Sequence, residues 1–225
     1  MEPSSATHAI ALIVHLLLFV YWLGGDVGVF HSSRFVVDPR RSREARLMAA
    51  KIMLDLDLIP RICMSLTLTV GAILNEFRGI EHPAWQMAAL LALGPFWLAM
   101  VLYLHLREGT VAAHRVQRFD FWFRWFMIAA ILASAAVSLA TQRLAGYPWI
   151  TAKLLIFAFL IFCGLMIRIR MPPFVEGLRA LAADRATADG DTRMQASLAR
   201  MRPWVLAIWA GVLASAVLGV LGSRG

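Results

Sequence analysis

Residues 8–31 read HAIALIVHLLLFVYWLGGDVGVFH, an apolar run in which Asp26 is the one formally charged side chain. A helix needs about 20 such residues to cross the hydrocarbon core of a bilayer. Further stretches of the same kind follow at about 48–75, 84–106, 121–143, 148–168 and 203–222. The sequence therefore predicts an all-α protein, a polytopic transmembrane helix bundle of six spans that forms one domain over residues 1–225.

The composition excludes several other classes of protein. The chain is 60% apolar and 16% charged, whereas soluble domains are nearer ~45–50% and ~25%. Two cysteines are too few for a disulfide scaffold or for a multi-cysteine zinc or iron–sulfur site. Neither common Gly-rich phosphate loop is present, which argues against a nucleotide-driven enzyme.

The basic residues predict the orientation of the spans. Of the 22 Lys and Arg residues, seventeen lie in or beside the connections that follow spans 1, 3 and 5, and three lie on the opposite side, at Arg78, Arg143 and Arg224. The positive-inside rule then places both termini outside, as expected for a multi-pass protein of a bacterial inner membrane. Because the charges are spread over three short connections, the expected partner is the lipid bilayer and not nucleic acid.

Two polar segments, one before span 1 and one between spans 5 and 6, carry weaker signals. The residues before span 1 include Glu2 and no Lys or Arg, so span 1 is not expected to be a cleaved signal peptide. Residues 171–202 are predicted to be a connector with a short interfacial helix around Val175–Ala183. The segment Asp189-Gly190-Asp191 in this connector lacks the spacing of a calcium loop.

Span 1 carries an unusual polar stripe, formed by His8, His15, Trp22 and Asp26 at spacings of 7, 7 and 4. At about 100° per residue these side chains share one helix face, which should point into the bundle, because lipid would penalise it. An imidazole at this depth needs a hydrogen-bond partner, a metal or a haem iron. His15 is therefore the first candidate ligand and His8 the second, with a structural histidine as the equal alternative. The adjacent Gly24 and Gly25 would let a helix or a flat ligand approach closely.

Span 2 contributes a group of charged residues at similar depth to Asp26. Asp57 and Arg61 are four residues apart and can pair along one face, and Asp55 lies one half-turn before them. Pro60 between them is expected to kink the helix. A buried charge network of Asp26, Asp55, Asp57 and Arg61 can either tie spans 1 and 2 together or relay protons, and both interpretations stay open.

Lys153 lies about one turn inside span 5, at nearly the depth of His15. Its ammonium group can extend to the interface or meet a carboxylate of a bound cofactor. Copper is an alternative ligand, because soft donors suit Cu(I). The soft residues Cys63 and Met64 are adjacent in span 2, and Cys163 and Met166 lie together in span 5. They form no dense motif, which favours packing.

These residues resemble a known group, the HemJ/CopD-like membrane proteins. The segment from His15 to Gly25 is similar to their first helix, and Pro60 followed by Gly71 is similar to their second. The segment Trp149-Ile150-Thr151-Ala152-Lys153-Leu154 resembles the lysine helix of HemJ, a protoporphyrinogen oxidase, although Thr151 stands where that family has a histidine. The resemblance implies a haem b among the helices, with His15 as an axial ligand, Trp22, Gly24 and Gly25 beside it, and Lys153 as the functional lysine.

Three functional hypotheses follow. The first is a haem b redox protein, which passes electrons to or from a quinone or a partner dehydrogenase subunit, or oxidises a porphyrinogen. The second is a CopD-like copper-handling membrane protein. The third is a cofactor-free membrane anchor, whose buried charges hold the helices together. Each of them is compatible with a homo-oligomer or a larger complex.

Overall fold

The computed structural model describes residues 5–107 and 109–222, and every regular element in this part of the chain is an α-helix. The helices are α1 (Ser5–Val36), α2 (Arg43–Glu76), α3 (Ala84–Leu106), α4 (Val111–Ala140), α5 (Pro148–Arg170), α6 (Pro172–Ala182) and α7 (Ala188–Gly222). All except α6 are long and apolar enough to cross a membrane. The prediction of an all-α protein with six spans is confirmed, and the chain is a multi-pass membrane protein.

Four of the helices are longer than a bilayer requires. α1, α2, α4 and α7 contain 32, 34, 30 and 35 residues, which at 1.5 Å per residue gives about 45–53 Å, against about 30 Å of hydrocarbon. Their arginine-rich ends therefore continue as helix beyond the apolar stretches. The backbone N–H and C=O groups there are hydrogen-bonded within the helix. For this reason a change from apolar to charged side chains does not by itself end the helix.

The segment 171–202, predicted to be a connector, is helical except at residues 171 and 183–187. A short helix exists where one was expected, as α6 at Pro172–Ala182, and its interfacial position stays a prediction. α7 begins at Ala188, so that Asp189 and Asp191 lie in its first turn. Acidic side chains are favoured there by the positive end of the helix dipole.

The chain packs as two compact units. The first comprises Met1–Val29 and Ile52–Gln117, and the second comprises Phe30–Lys51 and Arg118–Gly225. The boundaries fall inside α1, α2 and α4, because these helices contribute one end to each unit. The expectation of a single domain stays a prediction.

In the first unit, α1 and α2 pack as an antiparallel pair at glycines of α1. A Cβ atom on Gly25 would lie 2.7 Å from Cδ of Pro60, and one on Gly28 would lie 2.7 Å from Cδ1 of Leu56. A Cβ atom on Gly24 would have no such atom within 4 Å. The expected close approach of a helix therefore occurs at Gly25 and not at Gly24.

Gly25→Ala is expected to destabilise the protein by about 1–3 kcal/mol, because the new methyl group overlaps the rigid ring of Pro60. Gly24→Ala is the matched control and should stay within about 1 kcal/mol of the wild type, since its methyl group enters open space. Thermal unfolding of the two variants in detergent checks this. Equal unfolding temperatures would contradict the packing of α1 on α2.

In the second unit, α5 packs along α7 with α6 across the beginning of α7. Ile161, Cys163 and Leu165 of α5 are completely buried. Gly211 of α7 admits Leu160, because a Cβ atom there would lie 2.8 Å from Cδ2 of that leucine. This close fit identifies the α5–α7 contact as the main packing interface of the second unit.

The α1–α2 corner of the second unit is held by Arg46, whose side chain is 5% exposed. Its Nε donates to the carbonyl of Val36 at 2.8 Å, and its two Nη atoms donate to the carboxylate of Asp191 at 2.5 and 3.3 Å. Within the corner, the backbone N–H of Arg40 and the guanidinium groups of Arg40 and Arg41 hold the pKa of the Asp38 carboxyl below its usual range. The buried pair joins the start of α2 to the start of α7.

The predicted orientation can be tested by labelling single cysteines introduced at Ser42 and Ala199. Both positions are exposed, whereas the native Cys63 and Cys163 are buried and should give little background. Ser197 is a poor choice, because it is fully buried and its hydroxyl donates to the carbonyl of Arg170 at 2.7 Å. With both termini outside, neither cysteine should react with an impermeant reagent until the inner membrane is opened. Labelling in intact spheroplasts would reverse the orientation.

Candidate functional site

The polar stripe of α1 faces protein, as the spacing predicts. His8 and His15 are partly buried and Trp22 is buried, whereas Ile13 and Leu16 on other faces of the helix are exposed. In a helix that also faces lipid, the more buried side is the side that faces the other helices. A group bound among the helices on this side of α1 would therefore contact imidazole and indole side chains.

His15 lies against a glycine of α2 in the first unit. A Cβ atom on Gly71 would be 3.6 Å from Cε1 of the His15 ring, an ordinary van der Waals contact. The imidazole is thus bordered on this side by backbone and not by a bulky side chain. Of the residues singled out in the two helices, His15 with Gly71 and Gly25 with Pro60 are pairs that the structure brings into contact.

His8 lies at the outer end of the stripe, beside the end of α2. Its ring centroid is 5.9 Å from that of Phe77, with the two rings inclined at 60°. Within residues 5–107 and 109–222, its buried Nε2 atom has no hydrogen-bond partner. His8 therefore keeps a donor or acceptor position that a ligand or a water molecule can satisfy.

The charged residues of α1 and α2 form a cluster that we call the inner charge cluster: Asp26, Asp57 and Arg61. The guanidinium of Arg61 forms an ion pair with Asp57 one turn earlier. Asp26 is hydrogen-bonded to the side chain of Trp22 and lies within electrostatic range of Asp57. Of the two carboxylates, only that of Asp57 is paired with the guanidinium of Arg61 among the described residues.

Asp55 does not belong to this cluster. Its side chain is exposed, and it forms no ion pair with any residue that the structure describes. The reason is helical geometry, because Asp55 lies two residues before Asp57 and therefore on the opposite side of α2. Its inclusion in a buried network was wrong.

The pairing of Asp57 with Arg61 is expected to give a coupling free energy of about 0.5–3 kcal/mol in a double-mutant cycle. The variants are Asp57→Asn, Arg61→Gln and the double replacement, compared by unfolding in detergent. Each single change leaves one unbalanced charge, so the double variant should be more stable than the sum of the single effects predicts. Strict additivity would show that the ion pair contributes nothing to folding.

Lys153 lies in the second unit, between the start of α5 and the end of α7. Its Nζ atom is 5.5 Å from the ring centroid of Trp149, and a Cβ atom on Gly219 would be 2.9 Å from it. The ammonium group therefore contacts an aromatic face and the backbone of α7. Its pairing with a cofactor carboxylate stays a prediction.

The remaining histidines are less suited to ligate a metal within the bundle. Nδ1 of His82 lies 2.6 Å from a carboxylate oxygen of Glu76, so one of its ring nitrogens is already engaged. His105 and His114 are exposed, and Nδ1 of His114 lies 2.9 Å from the carbonyl oxygen of Thr110.

The sequence analysis missed a buried triad in the second unit, which we call the α4–α5 triad: Asp120, Arg124 and Arg168. One carboxylate oxygen of the fully buried Asp120 accepts hydrogen bonds from Arg124 at 3.0 Å and Arg168 at 2.6 Å. The i,i+4 spacing of Asp120 and Arg124 was an available signal. It was overlooked because span 4 was predicted to start at residue 121 and Arg168 was assigned to a loop.

The donor groups of the described residues do not converge on a point that would hold a metal ion by protein ligands alone. No three of their His, Cys, Asp and Glu side chains form such a group. Cys63 and Cys163 are buried free thiols that belong to different units. No protein-family model, curated protein or solved structure matches this chain.

Proposed function

We propose that this chain is a haem b-binding membrane redox protein in which His15 is the axial ligand of the iron. The observation that supports this best is the position of His15, which is partly buried on the inward stripe of α1 and bordered by Gly71 of α2. When bound, a haem b supplies reversible one-electron transfer. The resemblance of the His15–Gly25 segment to HemJ/CopD-like proteins points the same way.

The donor set fits a haem better than a bare metal ion. A zinc ion held by protein alone takes three or four ligands, and the His, Cys, Asp and Glu side chains of the described residues offer no group of three. A porphyrin brings four nitrogen ligands of its own, so that one imidazole is sufficient, as in globins and peroxidases. Copper handling stays the alternative, because Cys and Met donors suit Cu(I).

The neighbours of His15 on α1 suit a flat apolar ligand. Trp22 supplies a buried indole two turns along the same stripe, whereas Gly24, nine residues after His15, lies on the opposite, exposed face of α1. In this assignment His15 holds the iron and Trp22 packs beside it. The cofactor role that the resemblance gives to Lys153, a residue of the second unit, stays a prediction.

A quinone is the electron partner that the surface of α1 and α2 fits best. An apolar depression of about 330 Å³ lies between these helices and is lined by residues that include Leu17, Tyr21, Ile59 and Cys63. Ligand pockets start at about 300 Å³, and the lining here suits an isoprenoid tail. Asp26 lies about 16 Å along α1 from His15.

The absorbance spectrum of the purified protein tests this proposal directly. A Soret band, with α and β bands that sharpen on reduction by dithionite, is expected after purification or after incubation with hemin. Bound copper without a Soret band would replace the proposal with copper handling. A colourless, metal-free protein that takes up no hemin would support the third hypothesis, a cofactor-free membrane anchor.

A further inference from the structure

Two arginines from different helices converge on one aromatic ring in the second unit. The Cζ atom of Arg34, in α1, lies 4.8 Å from the ring centroid of Phe30, and that of Arg202, in α7, lies 6.0 Å from the same centroid. Trp209 of α7 also packs against this ring edge-to-face, with the two centroids 5.2 Å apart. Phe30 is therefore a common support for two guanidinium groups, one from each helix.

Neither guanidinium of this pair has an anionic partner among the residues that the structure describes. Arg34 and Arg202 are both exposed, and their guanidinium groups form no ion pair there. Three other arginines of the same unit are paired with aspartates: Arg43 with Asp184, Arg46 with Asp191 and Arg193 with Asp189. Because like charges repel at this separation, the pair on Phe30 is a place where an added anion is favoured.

The contact with Phe30 leaves the hydrogen-bonding groups of both arginines available. A guanidinium that lies over an aromatic face uses its charge and its flat side, whereas its N–H groups lie in its own plane. These N–H groups form a fork that matches the oxygens of a phosphate group. The two arginines are exposed, so a phosphate can reach them without entering the protein interior.

The position of the pair along the helices indicates where such a phosphate comes from. Arg34 lies three residues after the apolar run 8–31, and Arg202 lies directly before the apolar run 203–222. Both arginines are therefore at the level where the hydrocarbon meets the lipid headgroups. Trp204, two residues after Arg202, fits this level, because tryptophan is enriched there. The positive-inside rule predicts this side to be cytoplasmic, and anionic lipids give the cytoplasmic leaflet its negative surface potential.

We propose that Arg34 and Arg202, supported by Phe30, form a binding site for the headgroup phosphate of an anionic phospholipid. The phosphate supplies the counter-charge that the pair lacks and joins the end of α1 to α7. A zwitterionic lipid offers the same phosphate together with its own amine, and therefore brings no net charge to the site. The site is independent of any cofactor in the first unit.

Native mass spectrometry of the detergent-solubilised full chain with added phosphatidylglycerol tests the site. R34Q and R202Q should each weaken binding about fivefold, the contribution of one arginine near an anionic surface. R185Q is the matched control, because Arg185 is an exposed arginine of the same unit without an ion pair or ring contact among the described residues. It removes the same charge and should bind as the wild type does. An equal loss in R185Q, or unchanged binding in R34Q or in R202Q, would overturn the proposal.

Phe30→Leu tests whether the ring builds the site. It keeps both positive charges but removes the aromatic face that holds them, so phosphatidylglycerol binding should weaken although the net charge is unchanged. Binding equal to that of the wild type would show that only the overall charge of this side matters, and would contradict a site built on Phe30.

The wild-type protein keeps the test decisive if a variant folds poorly. It should retain phosphatidylglycerol in preference to phosphatidylcholine with identical acyl chains, and inorganic phosphate at the same concentration should not displace the lipid. The absence of a preference between the two lipids would rule out an anionic headgroup site. Displacement by inorganic phosphate would show a site for free phosphate and overturn the assignment to a lipid.

Discussion

His15→Ala is expected to yield a purified protein that has lost most of its haem, and with it the Soret band. The physical reason is that His15 supplies the proposed protein bond to the iron, and the other histidine of the stripe, His8, lies about 10 Å further along α1. His82 is engaged by Glu76, and His105 is exposed. The measurement is the ratio of Soret to protein absorbance, combined with an extracted-haem assay.

His114→Ala is the matched control for this change, since His114 is exposed in the first turn of α4. It should keep the full haem content and an unchanged spectrum. If His15→Ala retained full haem with an unaltered spectrum, the axial role would pass to another histidine, with His8 the first candidate on the same stripe.

Asp120→Ala is expected to lower the free energy of unfolding by about 3–5 kcal/mol, because it leaves two guanidinium groups without their carboxylate in a buried position. Chemical denaturation of the detergent-solubilised protein, followed by circular dichroism, provides the measurement. Asp189→Ala removes a carboxylate from an exposed ion pair with Arg193, and should change stability by about 0–1 kcal/mol.

A triple replacement separates charge balance from packing in the same triad. Exchanging Asp120, Arg124 and Arg168 together for Leu, Met and Met removes all three charges while it keeps similar volume. It should be less destabilising than Asp120→Ala alone, since no uncompensated charge remains. If Asp120→Ala were as mild as Asp189→Ala, the triad would contribute little to the folded state.

The inward stripe of α1 was predictable from residue spacing. Residues seven or four apart on a helix lie on one face, and a polar face among apolar ones can only point to protein. The ion pair of Asp57 with Arg61 was predictable for the same reason. Asp55 was wrongly assigned to the charge network because only its depth along α2 was considered, and not the direction of its side chain around the helix axis.

The role of each glycine was not predictable in the same way. Gly24 and Gly25 are neighbours with the same chemistry, yet only Gly25 lies against Pro60. Successive residues point in directions about 100° apart around the helix axis. This difference decides which of the two glycines contacts α2. The sequence alone does not specify which direction α2 occupies.

The number of spans, their approximate positions and the inward face of α1 were therefore determined by the sequence alone. These properties depend on apolar length and helical period, which are local. The tertiary structure alone decided the α4–α5 triad and the Arg46–Asp191 pair, whose partners are separated by 48 and 145 residues. Such pairs form because helix packing excludes water from charges that would otherwise be solvated, and that exclusion depends on which helices become neighbours.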